Sequence, residues 1–251
     1  MAESVVLHRA ADRLQTRTPW LHSQHSFSFG HQYRAGNTHH GLLLVNNEDL
    51  VRPGTGFDTH PHRDMEIVTW VLTGSLVHQD SAGNSGVIYP GLAQRMSAGS
   101  GIMHSERNDS WRLDAGPPHS DPVHFVQMWV SPDERGIEPG YQQAEVGPEL
   151  LSGGLVPVAS GLPAHAGSSA IRIRNSQAGL HVARLRTGQQ VQLPDAPYLH
   201  LFLARGQAEL EAVGLLEAGD AVRLTGTGGH RLTAVTAAEV LVWEMHASLA
   251  G

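Results

Sequence analysis

The sequence predicts an all-β protein made of two antiparallel β-barrel (jelly-roll) domains packed together. Short runs of β-branched and aromatic residues recur between turn clusters, 28 Gly and 14 Pro are spread along the 251 residues, and no long amphipathic helical pattern is evident. A weak but ordered internal repeat relates the two halves. The length suits one large domain or two modest ones with separate cores. A Pro- and charge-containing connector over residues 131–148 divides it, placing the N-terminal barrel at residues 1–140 and the C-terminal barrel at residues 141–251.

Taken in order, the chain opens on a mixed segment around Arg9 and Arg13. Strict alternation then appears in His25-Ser26-Phe27-Ser28-Phe29, the pattern of a half-buried strand. Residues 30–41 read as polar loop and Leu42-Leu43-Leu44-Val45 as a buried strand. The turn Arg52-Pro53-Gly54-Thr55-Gly56 precedes a His-rich stretch, and Glu66-Ile67-Val68-Thr69-Trp70-Val71-Leu72 has the β-branched and aromatic content of a strand. Thr73-Gly74 turns the chain into Leu76-Val77-His78-Gln79-Asp80. After Ser81-Ala82-Gly83-Asn84 come the strand Val87-Ile88-Tyr89, the Gly-rich bend Ala98-Gly99-Ser100-Gly101, and the alternating strand at residues 123–130. Strands at such short intervals indicate an antiparallel barrel or jelly roll. In the second half, aligning Gly206 with Gly74 sets Tyr198-Leu199-His200-Leu201-Phe202-Leu203 against residues 66–71, and Gly219 aligns with Gly91.

The net charge of −7, with no basic run, disfavours direct capture of nucleic acid. Absence of Cys excludes disulfides, thiolate metal sites and cysteine nucleophiles. Absence of Lys excludes Schiff-base chemistry and a P-loop lysine. The apolar run Val5-Val6-Leu7 is too short for a signal peptide or membrane span, so a cytoplasmic protein is expected, without membrane association.

Chemistry concentrates in Phe57-Asp58-Thr59-His60-Pro61-His62-Arg63-Asp64-Met65-Glu66 and Gly101-Ile102-Met103-His104-Ser105-Glu106. Side chains two apart on a strand share a face, so His60 with His62, and His104 with Glu106, form two clamps able to hold one divalent metal. In a chain with 17 His, either pair alone is as readily structural. Glu66 has the parity of the first clamp and reads as a neighbour of the site or its rim. Asn108 orients a ligand or forms a turn. His78, His124 and Gln127 read first as satisfied core polar residues, and Phe27, Phe29, Trp70, Met128 and Trp129 first as core, with an aromatic-lined pocket as the secondary reading.

Gly54-x5-His60-x-His62-x3-Glu66 resembles the first cupin motif, and Gly101-x2-His104-x3-Asn108 resembles the second. More narrowly, His60-Pro61-His62-Arg63-Asp64-Met65-Glu66, with Ser97-Ala98-Gly99-Ser100-Gly101-Ile102-Met103-His104-Ser105-Glu106, is similar to the pirin family, especially its bacterial flavonol dioxygenases. The similarity is densest over residues 20–145. It implies a bicupin with one mononuclear metal site in the N-terminal barrel and a degenerate second barrel without metal ligands, where Gln192, Pro194, Leu232 and Ala234 stand at the ligand positions. The implied ligands are His60, His62, His104 and Glu106. Many other cupins draw the carboxylate from the first motif, here Glu66. The implied metal is Fe2+, with Mn, Co, Ni, Cu and Zn also acceptable to such donors.

What the resemblance implies for function is a quercetinase-type 2,3-dioxygenase taking a small planar phenolic substrate and O2, and releasing carbon monoxide. Glu106 is the expected general base and Glu66 the reserve candidate. The alternative is a metal-dependent, redox-sensitive interaction protein or transcriptional co-regulator with a protein partner and no turnover. A cupin isomerase or another small-molecule dioxygenase is a third reading.

Overall fold

The structure, a computed structural model, describes residues 2–114, 116–211 and 213–249. Two compact units emerge: residues 14–38 with 44–145, and residues 1–13 with 39–43 and 146–251. Strand β1 (Ser4–His8) belongs to the second unit. The first contains β2 (Leu14–Arg17), β3 (Leu21–His25), β4 (Leu43–Val51), β5 (Gly56–His62), β6 (Glu66–Thr73), β7 (Leu76–Asp80), β8 (Ser85–Ile88), β9 (Leu92–Ser97), β10 (Ile102–Arg107), β11 (Val123–Val130) and β12 (Gly140–Glu145). A seven-stranded sheet runs β12-β9-β6-β11-β4-β3-β2, and a four-stranded sheet runs β5-β10-β7-β8.

Strand β6 shows why the larger sheet forms. Its sequence EIVTWVLT is buried at every position but the last, so both faces are covered and the apolar pattern is nearly continuous. Val71, Leu76, Phe125 and their neighbours make one apolar cluster, and Ile67, Met96, Ala98 and Ile102 make another, packed against Met65 and Trp129. Each such side chain contributes roughly 1.5–3 kcal/mol of burial. In the smaller sheet, β5 and β10 pair with His60 directly opposite His104, and His62 opposite Ile102. The register shifts between His104 and Glu106, and Gly56 on β5 lies so close to β10 that a Cβ there would overlap the Glu106 carbonyl oxygen.

The second unit continues with β13 (Val156–Ser160), β14 (Ala178–Leu185), β15 (Gln190–Gln192), β16 (Tyr198–Arg205), β17 (Gln207–Leu210), β18 (Gly214–Glu217), β19 (Ala221–Thr225), β20 (Arg231–Ala234) and β21 (Ala238–Met245). They form a six-stranded sheet, β1-β19-β16-β21-β14-β13, and a four-stranded sheet, β15-β20-β17-β18. Between them lies an apolar core that includes Leu199, Leu201, Val222, Leu232 and Val240. The repeat has a backbone counterpart. Gly74 joins β6 to β7 and Gly206 joins β16 to β17, each at φ 77°. Both sit against the first residue of a neighbouring strand, Val123 and Ala238, where a side chain would crowd the backbone.

Two boundaries differ from the division at 140/141. Residues 1–13 lie with the C-terminal unit because β1 pairs with β19, setting Val5 and Leu7 against its core. The N-terminal unit runs on to Glu145, because β12, within the expected connector, pairs with β9 over six residues. Exposed and intermediate positions dominate β12, which gives it little apolar signal. No helix among the described residues is long and apolar enough to cross a membrane.

Candidate metal centre

Three imidazoles converge from β5 and β10. Ligand atoms of His60, His62 and His104 all lie within 4.8 Å of one another, and the ring centroids are 4.5–4.9 Å apart. Alternation on β5 places His60 and His62 on one face, and the cross-strand register brings His104 to meet them. His60 Nδ1 lies 2.7 Å from the Asp58 carbonyl oxygen, so this nitrogen donates and Nε2 keeps its lone pair. His62 Nε2 and His104 Nε2 are buried without a hydrogen-bond partner. Buried polar atoms left this way are costly, and a shared cation satisfies all of them. The residues present therefore fit a divalent transition metal.

Behind His104 stands a relay that fixes its tautomer. Asp80 accepts hydrogen bonds from the Ala82 and Asn84 backbone N–H groups and from the Asn84 side-chain amide. Burial alone would raise the Asp80 carboxyl, but the Asn84 hydrogen bonds, with help from His78, hold it below the usual range. As an anion it only accepts, so His78 Nε2, 3.2 Å away, carries the proton. The other nitrogen, His78 Nδ1, is then the acceptor for His104 Nδ1–H at 3.4 Å. His104 Nε2 is left deprotonated, facing His60 and His62. Such outer partners orient metal-binding imidazoles and raise their basicity.

Glu106 follows His104 on the same face of β10, opposite His78 on β7. It groups with His78 and His104 within 4.8 Å, so the three-histidine set and the carboxylate set share His104. Gln127 Nε2 donates to both Glu106 oxygens, at 2.9 and 2.8 Å, and Trp129 Nε1 donates to Gln127 Oε1 at 3.0 Å. The carboxylate is thus aimed by an amide that is itself aimed by an indole. The Trp129 ring packs edge-on to His62 at 4.8 Å, and Phe29 packs on Trp129 at 5.6 Å. Burial, then the neighbouring histidines, pushes His62 down to about 4 and His104 down to about 3. Both are neutral near pH 7, the state that binds metal. Burial and the nearby Asp80 and Glu106 carboxylates raise the Tyr141 hydroxyl, whose ring stacks on His78 at 4.7 Å. A groove of about 480 Å³ runs beside His62, lined by Arg63, Gly101 and Met103 among others.

Glu66 requires a correction. It is fully buried, but on the face of β6 opposite Ile67, and Ile67 shares its cluster with Trp129, which touches His62. Its carboxylate instead lies 4.0 Å from Arg95 Nε. The parity that would carry it from His62 to the cavity is interrupted where the chain leaves β5 and turns through Asp64, at φ 49°. Glu66 therefore stands apart from the donors that converge from β5 and β10. Asn108 ties loops together, donating to the Val51 and Asp121 carbonyls at 3.0 and 3.1 Å. His124 pairs with Glu48 at 2.9 Å, in the structural role expected of it. His78 and Gln127, read from sequence first as core polar residues, touch His104 and Glu106 directly. Their cross-strand register was the missing signal.

Comparison with known proteins bears on the same residues. The family described as Pirin matches residues 7–130, and the family described as Quercetinase C-terminal cupin domain matches residues 162–245. A Mycobacterium tuberculosis protein, provisionally named a quercetin 2,3-dioxygenase, is 61% identical over 249 residues, covering 99% of this chain and 98% of its own. An Escherichia coli protein named quercetin 2,3-dioxygenase is 42% identical over 139 residues, 55% of this chain and 57% of its own. The crystal structure of the bacterial pirin YhhW from Escherichia coli in complex with nickel(II) superposes with a TM-score of 0.84 at 28% identity, covering 98% of this chain and 100% of that one.

Proposed function

Because the chain belongs to the pirin family, we propose that it is a metal-dependent dioxygenase of quercetinase type, cleaving a flavonol with O2 and releasing carbon monoxide. The observation that carries this reading is the convergence of three imidazoles beside a carboxylate that Gln127 holds in place. His60, His62 and His104 would hold the metal, with Glu106 as the fourth donor, and Fe2+ is the proposed ion. A bound ion of this kind supplies Lewis-acid polarisation of a substrate oxygen and access to O2 chemistry.

The chain's own residues supply the rest. Glu106 accepts the proton of the flavonol 3-hydroxyl, and Gln127 Nε2 steadies the carboxylate in the required orientation. Trp129, supported by Phe29, offers an aromatic wall for a planar ring. The Asp80–His78 relay keeps the proton off His104 Nε2. Metal-loaded protein incubated with quercetin, with and without air, tests the reading. Oxygen-dependent bleaching with carbon monoxide release is expected, and is lost in His104→Ala. Bleaching independent of oxygen, or no carbon monoxide, overturns it.

A further inference from the structure

The C-terminal unit carries a second convergence of imidazoles on a carboxylate, away from the positions equivalent to the first site. His181 lies on β14 and Glu244 on β21, on the face shared with Ala183, Val240 and Val242, which belong to the apolar core. Both therefore stand where the inner face of the sheet passes from apolar to polar. His165, at the end of the short 3-10 turn Pro163–His165, packs edge-on to His181 with ring centroids 4.9 Å apart. Ligand atoms of His165, His181 and Glu244 lie within 4.8 Å of one another. Glu244 Oε2 is 2.8 Å from His181 Nε2 and 4.0 Å from His165 Nε2, and Glu244 Oε1 is 2.8 Å from His246 Nε2. A tetrahedral ion with bonds of about 2.0–2.1 Å sets its ligands roughly 3.3 Å apart, inside this spread.

Two further features shape the cluster. Ser160 Oγ lies 2.9 Å from His165 Nδ1 and also receives the Leu162 N–H at 3.1 Å, which fixes the imidazole with Nε2 towards Glu244. At 4.0 Å that Nε2 is too far from the carboxylate for a hydrogen bond but well placed to share an ion with it. Opposite Glu244 on β14 is Gly179, where a Cβ would come within 2.7 Å of Ser160 Oγ and 3.3 Å of His165 Nδ1. The missing side chain makes room for His165 over the carboxylate. A cavity of about 350 Å³, lined by Ser160, His165, Gly167 and Arg172 among others, lies on the His165 side of the cluster.

We propose that His165, His181 and Glu244, with His246 at the rim, form a second divalent-cation site for Zn2+ or a metal of similar preference such as Ni2+ or Co2+. Protein donors fill the coordination shell, so the site is structural and clamps the 163–165 turn onto the β14–β21 pair. It is independent of the reading given to the first site.

Full-length protein stripped with a chelator and re-equilibrated with Zn2+ should hold two ions per chain by elemental mass spectrometry. The count should fall to one in His60→Ala/His104→Ala, and to one in Glu244→Gln. With Co2+ in the His60→Ala/His104→Ala background, the remaining visible absorption should vanish on adding His181→Ala. His246 is 37% exposed, so His246→Ala leaves packing intact and decides the matter should Glu244→Gln fail to fold. It should weaken the second ion at least about tenfold, the scale seen when a metal site loses a supporting group. No ion retained by the His60→Ala/His104→Ala chain, or an ion there indifferent to both Glu244→Gln and His246→Ala, would show a hydrogen-bonded His–Glu knot only and overturn the proposal.

Discussion

Asp80→Asn probes the N-terminal site without touching a ligand. The side chain stays the same size, and its Oδ1 can still accept from the Ala82 and Asn84 N–H groups. What changes is the other atom, which turns from an acceptor into an N–H donor facing His78 Nε2. His78 must then carry its proton on Nδ1, and across the 3.4 Å contact His104 must place its proton on Nε2, the nitrogen that faces His60 and His62. Metal binding now requires that proton to be expelled or the relay broken. Losses of this kind cost about 10–100-fold in affinity, or about 1.4–2.8 kcal/mol at 1.4 kcal/mol per tenfold. The assay is competition for Ni2+ or Zn2+ against a chromophoric chelator, in a Glu244→Gln background so that only the first site reports. Circular dichroism of the metal-free variant confirms the fold. An unchanged affinity in a folded Asp80→Asn variant would show that the relay does not set the His104 tautomer, and would refute the argument.

Gln127→Leu removes the Nε2 donor that both oxygens of the buried Glu106 carboxylate share. An unsatisfied buried group costs about 1–3 kcal/mol, so denaturant unfolding of the metal-free chain should show a loss of that size together with a lower kcat for flavonol cleavage. Unchanged stability would mean that water replaces the amide. Gly56→Ala should be worse tolerated than its half-buried position on β5 suggests. The new Cβ would overlap the Glu106 carbonyl and come within 2.6 Å of Arg107 Cα, pushing β10 off register at a cost of about 1–3 kcal/mol with a parallel loss of metal affinity. Full retention of metal by this variant would contradict that close approach. His40 supplies a pH test outside the metal sites: burial above all, with Arg223 adding to it against a hydrogen bond to the Leu224 carbonyl, pushes it from 6.5 down to about 4. Between these values the unfolded chain binds a proton that the folded chain refuses. Stability is therefore complete above pH 6.5 and is lost as pH falls towards 4, by at most about 3 kcal/mol from this group. His40→Gln should flatten the stability difference between pH 7.5 and 5 in urea titrations, and an unaltered slope would show that His40 takes up its proton equally in the folded and unfolded chain.

The sequence by itself determined the all-β class, the repeat, and the two clamps. Alternation and turn residues are local signals, and His60-Pro61-His62 with His104-Ser105-Glu106 keep their period-two spacing wherever the strands lie. Gly74 and Gly206, aligned from sequence, occupy the same turn at the same φ. Strand pairing was decided only in three dimensions. Glu66 has the right parity on paper, yet the turn at Asp64 sends it to the other face, because counting by twos fails once the chain leaves the strand. His78 and Gln127 reach the site from β7 and β11 through cross-strand register that no single segment encodes. Strand β1 precedes the first barrel in sequence but pairs with β19 more than two hundred residues away. The histidines of the C-terminal unit come from a turn, a strand and a strand end, and have no common spacing. Local periodicity is written in neighbouring residues, whereas the faces that meet are chosen by long-range pairing and burial. The paired side chains of the two clamps belong to the first kind of information, and the residues that aim them belong to the second.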